Sequence, residues 1–269
     1  MPLRPFSVWS CTLPIAILTR YLCPPALRTL CSALLVAHVP VFMWGIFDIR
    51  LGFFCRCLLR NARKKELLAL SFDDGPDPAL TPEVLRLLEH YDARATFFVV
   101  GRRAGQHPHL VRRAYDAGHT IACHDYHHDL RSNFRTTGSL VRDIGAAREV
   151  IYQCIGRRTL LYRPPVGLTN PHTGRALETL GMQCVGWSRG AGDRGNTNRR
   201  AFRRFPEMAR GGEIVLLHDI LPGIEHKSAF LGALESLLAQ AASSNLRLVG
   251  VDHLLEINAY APEETEGDR

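Results

Sequence analysis

Two adjacent carboxylates, Asp73 and Asp74, lie in the run Ser71-Phe72-Asp73-Asp74-Gly75-Pro76. On an extended backbone their side chains point to opposite sides. If both turn into one site, a cation or a proton must relieve their repulsion. A cation on one would leave the other as a base. The same run is also ordinary turn chemistry, so the pair needs company before it means catalysis. His124 and His128 supply that company, because i, i+4 spacing puts two imidazoles on one helical face or across a tight loop. Two histidines and one aspartate form a facial set suited to zinc or another divalent ion, with room left for water. His127 lies between them and would point elsewhere. Arg163, followed by two prolines, would sit beside Asp73 and orient it. His218 emerges from the apolar run 214–217 and has the intrinsic pKa of a general acid. His107, His109 and His226 read as solvated loop residues.

Short β-rich runs must position these groups. They are Leu67–Asp73, Ala95–Val100, Thr120–His124, Leu160–Arg163, Gln183–Ser188, Ile214–His218 and Leu246–Val251. Amphipathic helical patterns fall between most of them. Thr81-Pro82 and Asn170-Pro171 each read as an N-cap followed by proline at the first helical position. This alternation predicts an α/β fold, a parallel sheet covered by helices. A (β/α) barrel and a doubly wound sheet both fit the length. In either, the chemistry gathers at the carboxyl ends of the strands, where Asp73, His124, Arg163 and His218 fall.

The chain has 269 residues and a net charge of +7, which raises an anionic partner such as nucleic acid. Residues 1–60 carry six Arg and one Asp, a net +5, which leaves +2 for the rest. Arg199-Arg200 and Arg203-Arg204 lack interleaved aromatics and read as a solvated face, so no nucleic-acid partner is expected. No G-x-S-x-G elbow or Walker loop is present. The eight cysteines form no C-x-x-C pair and read as unpaired thiols, not a disulfide framework or zinc ribbon. Residues 1–65 form a hydrophobic, basic extension, in which 30–47 is an uncharged run at the short edge of membrane-spanning length. Basic residues after that run would place the body in the cytoplasm, membrane-associated, by the positive-inside rule. Residues 66–255 form the catalytic domain and 256–269 an acidic tail.

In this order the motifs resemble the polysaccharide deacetylase family, carbohydrate esterase family 4. S-F-D-D-G-P at 71–76 is similar to its T-F-D-D-G-P, and H-D-Y-H-H at 124–128 to its H-S/T-x-x-H. R-P-P-V-G at 163–167 and L-L-H at 216–218 resemble its third and last motifs. The resemblance implies a distorted (β/α) barrel of about seven parallel strands and a metal-dependent amide hydrolase of N-acetylated sugars. It implies that Asp74, His124 and His128 hold the metal, zinc foremost, with Co2+, Ni2+ and Mn2+ as alternatives. Asp73 would be the base, Arg163 its holder and His218 the acid. The family's fourth motif is best matched at Trp187 to Asp193, so Asp193 would orient His218. The backbone N–H of Val166 would face the oxyanion, and Trp187 and Leu216 would line the acyl pocket. The substrate would be an N-acetylated polysaccharide, oligosaccharide or glycolipid. A deformylase acting on a lipid-linked sugar and a non-catalytic carbohydrate-binding relative are the alternatives. Asp125 departs from the family's Ser/Thr and would add negative charge near the metal.

Overall fold

The computed structural model describes residue 17 and residues 24–129 and 135–262. Helix α1 (Pro25–Phe47) comes first and carries Pro40 within it. Strands β1 (Cys57–Leu58) and β2 (Leu67–Asp73) follow, then α2 (Thr81–His90), β3 (Thr96–Val99), α3 (Gly101–Gln106) and α4 (Pro108–Asp116). Next come β4 (Thr120–Cys123), α5 (Thr137–Ile155), β5 (Leu161–Tyr162), α6 (Pro171–Leu180), β6 (Gln183–Val185) and β7 (Arg189–Gly190). The chain then forms β8 (Ile214–His218), α7 (Lys227–Ser243), β9 (Arg247–Val249) and α8 (Val251–Leu255).

All seven expected strands are present; Leu67–Asp73 and Ile214–His218 keep their expected bounds, and the other five are trimmed by a residue or more. Two were missed, β1 and β7, each only two residues long and without a readable period. The ladders between strands are all parallel, in the order β1-β6-β5-β4-β3-β2-β8-β7, with β9 also paired to β2. Neighbours run in chain order from β2 to β6, which is barrel winding and not the reversal of a doubly wound sheet. The ends of the path are β1 and β7, so the sheet curls without closing.

Alternation along the strands decides what faces the barrel axis. Leu68, Leu70 and Phe72 pack outward beneath the helices, together with Phe97, Val99, Ile121, Val215 and Leu217. Leu67 and Ala69 face inward with Phe98, Ala122, Leu161, Val185 and Ile214. Extending each inward series by two residues gives Ser71 and Asp73 on β2, Arg163 after β5, Trp187 after β6, and Leu216 and His218 on β8. A period of two therefore delivers separate motifs to one end of the barrel. Strand β2 is buried along its whole length, which fits a central strand covered on both faces.

The N-terminal stretch joins this body before residue 66. Ile49, Phe53, Phe54 and Cys55 are buried, and β1 pairs with β6. The end of α1 docks through Phe42 on Phe54 and through the Ile46 carbonyl, which accepts from the Thr169 N–H. No helix among the described residues is long and apolar enough to cross a membrane. At the other end, Ala259 is buried and its carbonyl accepts from the Leu160 N–H. Residues 256–262 are thus packed on the body. The rest of the acidic stretch, 263–269, lies outside the described residues, as does most of the apolar run 5–19.

The capping signals divide. Asn170 forms a capping box at the start of α6, as its sequence predicts. Thr81 is instead the first residue of α2. Its hydroxyl accepts from the Asp77 N–H and donates to Asp219. Asp77 shapes that turn by accepting from the Ala79 and Leu80 N–H groups.

Candidate active site

Asp73 ends β2 in extended backbone, and the next residue departs from it. Asp74 adopts φ 74°, in the left-handed region. That turn breaks the alternation expected of an extended pair and brings both carboxylates into one cleft of about 870 Å3. Left-handed backbone recurs around the cleft at Asp125, His128, Val166, Arg194 and Asn196. Such conformations are costly away from glycine and gather where a fold over-determines its functional loops.

Asp74, His124 and His128 offer ligand atoms that lie within 4.8 Å of one another. His128 Nε2 is 3.0 Å and His124 Nε2 is 3.4 Å from Asp74 Oδ1. His124 Nδ1 is 2.8 Å from the Arg163 carbonyl, an arrangement in which Nδ1–H donates and Nε2 keeps its lone pair for the cleft. A backbone acceptor behind an imidazole is the usual support of a metal ligand. Burial opposes the charged form of Asp74, but hydrogen bonds and charge from both histidines hold its carboxyl well below the usual range. Burial also opposes charge on His124, yet Asp73, Asp74 and the Arg163 carbonyl outweigh it and raise its pKa. Two imidazoles and one carboxylate, with open cleft beside them, fit a divalent cation with a free coordination position.

Arg163 is fully buried and holds Asp73. Its Nη1 donates to Asp73 Oδ1 at 2.7 Å and to Ser71 Oγ at 2.8 Å. Its Nη2 donates to the Gly186 carbonyl at 2.7 Å and its Nε to the Val185 carbonyl at 3.1 Å. The guanidinium also lies over the Phe98 ring, 3.9 Å from its centroid. Burial lowers the Arg163 pKa, and the Asp73 charge counters that. The second oxygen of Asp73 is left toward the cleft, 3.9 Å from His124 Nε2.

On β8, where His218 is the register partner of Asp73, His218 Nδ1 is 2.8 Å from Asp193 Oδ2. Burial pushes the His218 pKa down, but the Asp193 hydrogen bond and the charges of Asp193, Asp74 and Asp73 raise it to about 9. His218 is therefore a proton carrier at neutral pH, held at Nδ1 with Nε2 toward the cleft. Asn196 steadies its strand end by donating to the His218 and Ile220 carbonyls.

Val166, Trp187 and Leu216 also line the cleft. Val166 is 60% exposed at φ 57°, which turns its backbone into the open. A Cβ on Gly167 would come within 2.5 Å of the Trp187 ring, so only glycine admits the indole there. The cleft is lined by every site residue expected from the motifs except Arg163, which is buried behind Asp73.

Asp125 does not belong to it. Its carboxyl accepts from the Tyr162 hydroxyl at 2.7 Å, and burial raises its pKa, which weakens the negative charge expected near the cation. His127 is held by Asp143 at 2.6 Å, outside the ligand set as expected. Asp143 was missed. It also accepts from the Tyr126 N–H and pairs with Arg135, and so fixes the loop that carries His128. Its signal was a carboxylate on the apolar face of α5, beside Leu140, Ile144 and Ala147. Ser71 and Asn196 were also missed. The segment Phe47 to Arg50 lines the cleft too, a part of the N-terminal stretch expected to lie outside the catalytic unit.

Comparison with known proteins places this arrangement. The family model described as polysaccharide deacetylase matches residues 60–185. A peptidoglycan-N-acetylglucosamine deacetylase of Bacillus cereus is 34% identical over 194 residues, covering 71% of this chain and 89% of the relative. The peptidoglycan-N-acetylglucosamine deacetylase PgdA of Listeria monocytogenes is 30% identical over 72% of this chain, which spans only 40% of that longer protein. The solved structure of the peptidoglycan deacetylase PdaC from Bacillus subtilis superposes with a TM-score of 0.63 at 27% identity, covering 71% of this chain and 91% of that one.

Proposed function

The chain belongs to the polysaccharide deacetylase family, and from that membership we propose that it hydrolyses the N-acetyl groups of an N-acetylated glycan with a divalent cation, zinc, as cofactor. One observation carries the reading. The Asp74–His124–His128 cluster shares a single cleft with an arginine-held carboxylate and an aspartate-held imidazole.

Asp74, His124 and His128 would hold the cation, which when bound supplies the Lewis acidity that acidifies an attacking water and polarises the acyl carbonyl. Asp73 takes the proton from that water at its cleft-facing oxygen. Arg163 fixes the other oxygen, so the carboxylate does not need to reorganise as the proton arrives. The Val166 N–H meets the negative charge that develops on the acyl oxygen. His218, protonated at neutral pH, gives its proton to the departing amine nitrogen, and Asp193 stabilises the imidazolium until then. Trp187 and Leu216 supply the apolar wall for the acyl methyl.

The glycans named for the relatives, above all peptidoglycan, define the first substrates to try. The substrate test is acid release by the full chain, loaded with zinc, on peptidoglycan fragments, chitin oligosaccharides and N-formylated glycolipids. Acetate release from the first two supports the reading. Formate release alone would move the activity to a deformylase. Glycan binding without any acid release would make the chain a binding protein.

We also attribute membrane association to the N-terminal stretch. Val36, Val39, Trp44 and Phe47 of α1 are exposed, and Phe47 borders the cleft. Such a face suits lying on a lipid surface beside a surface-bound glycan. Flotation of the full chain with anionic vesicles tests this, and Trp44→Ser with Phe47→Ser should reduce it.

A further inference from the structure

Cys184 is distant in sequence from Cys55 and Cys57, and the sheet brings it to them. Cys57 on β1 and Cys184 on β6 are register partners in a parallel ladder. Cys55 lies two residues before Cys57, in the bend that leads into β1. The Cys57 and Cys184 sulfurs are 2.8 Å apart, and those of Cys55 and Cys57 are 3.6 Å apart. All three lie within 4.8 Å of one another, and none is in a disulfide.

We propose that these three cysteines form a second metal site, separate from the candidate catalytic cluster, that binds a thiophilic ion, Zn2+, as a structural staple. The ligand type fits, since thiolates select zinc and other soft ions over the hard cations that prefer oxygen. The spacing fits as well. A zinc–sulfur bond of about 2.3 Å in tetrahedral geometry sets sulfur–sulfur edges of about 3.8 Å. The Cys55–Cys57 edge already meets that value, and the Cys57–Cys184 edge has to open by about 1 Å.

The surroundings supply access. Cys55 and Cys184 border a cavity of about 400 Å3, shared with Glu178, Met182 and Gln183. An ion can enter there, and a fourth donor, side chain or water, can complete the coordination. Burial of Cys55 and Cys184 to under 5% exposure keeps competing ligands out once the ion is seated.

The position gives the staple a purpose. Strand β1 is two residues long and follows the cleft-lining segment 47–50. It would be held to β6 by the metal as well as by its short ladder. Directly after Cys184, the Val185 and Gly186 carbonyls anchor Arg163. An ion on these sulfurs would fasten the strand that holds the arginine on Asp73. A Cys57–Cys184 disulfide is the competing fate, and it would use two of the three sulfurs and leave Cys55 without a part.

The experiment uses the full chain purified under reducing conditions, and its probe is Co2+. Cobalt on the Asp–His–His cluster has no sulfur ligand and gives no thiolate charge-transfer band in the near ultraviolet. Cobalt on the three cysteines gives one. The proposal expects that band in the wild-type chain and about two zinc ions per chain by elemental analysis. Cys184→Ser and Cys55→Ser should each abolish the band and lower the zinc to about one. His124→Ala should lower the zinc equally but keep the band. A wild-type chain without the band, a band that survives Cys184→Ser, or a Cys57–Cys184 disulfide found by mass spectrometry would overturn it. The wild-type spectrum decides even if a cysteine variant fails to fold.

Discussion

Replacing Asp193 with Asn tests how the proton donor is set. The carboxylate lies 2.8 Å from His218 Nδ1, with 3% of its own side chain and 14% of the imidazole exposed. In the wild type His218 is raised from 6.5 to about 9, against the burial that pushes it down. Asn keeps the size and a hydrogen-bond acceptor but removes the charge. A neighbouring carboxylate at this range is worth about 1–2 pH units to a buried cation, so His218 in Asp193→Asn should titrate near 7–8. The assay is the pH dependence of kcat/KM, which reports the groups of the free enzyme. The wild type should lose activity through pH 9 as His218 gives up its proton. The variant should lose it through about pH 7.5. At pH 9 half of the wild-type imidazole is still protonated, against a few per cent in the variant, so the gap should reach about tenfold. At pH 6 both are protonated, and only the loss of orientation should remain. A second readout needs no substrate. The folded pKa lies above the unfolded one, so the pair stabilises the fold below about pH 6.5 and loses that contribution as pH rises through about 9. Asp193→Asn should flatten that decline in melting temperature. A uniform drop in rate at every pH, with the alkaline limb unmoved, would refute the electrostatic role and leave Asp193 as packing.

Three further outcomes follow from the geometry. Arg163→Met removes four hydrogen bonds and leaves Asp73 buried without its cation, so urea unfolding should report a loss of about 3–5 kcal/mol. Burial pushes Asp219 up to about 8 despite its Thr81 hydrogen bond, so the folded state keeps a proton that the unfolded state releases near 3.8. Its contribution is therefore complete below about pH 4 and declines as pH rises to about 8, and Asp219→Asn should raise the melting temperature at pH 8 but not at pH 4. Gly167→Ala meets both a φ of 71° and the Trp187 ring, so it should cost about 1–2 kcal/mol and lower kcat/KM beyond what a surface glycine would; an unchanged kcat/KM would remove Trp187 from the acyl wall.

Strong local signals made much of this molecule legible. The seven strands of the body announce themselves by apolar runs ending in polar residues, and Asn170-Pro171 marks the start of α6. Asp73, His124, Arg163 and His218 could be read because each lies at or just after the end of a strand, and barrel winding gathers strand ends. What escaped reading depends on partners far along the chain. Strands β1 and β7 are two residues long and exist only because β6 and β8 lie alongside them. Thr81 looked like a cap for α2, yet its hydroxyl is drawn off by Asp219, 138 residues away. Asp143 holds the His128 loop from the buried face of α5. Asp125 resembled an extra charge at the cation, but its left-handed backbone points it at Tyr162. The three clustered cysteines looked like unpaired thiols because only strand register brings Cys184 to Cys55 and Cys57. The membrane-like N-terminus hid a segment, 47–50, that reaches the cleft.

The central claim is that Asp73, held by Arg163, is the base of a cation-dependent deacetylase. Its most direct test is acetate release by zinc-loaded Asp73→Asn beside the wild type, with zinc content measured on both. The account predicts acetate from the wild type, a loss of about a hundredfold or more in the variant, and equal zinc in the two. Equal turnover with equal zinc would contradict it.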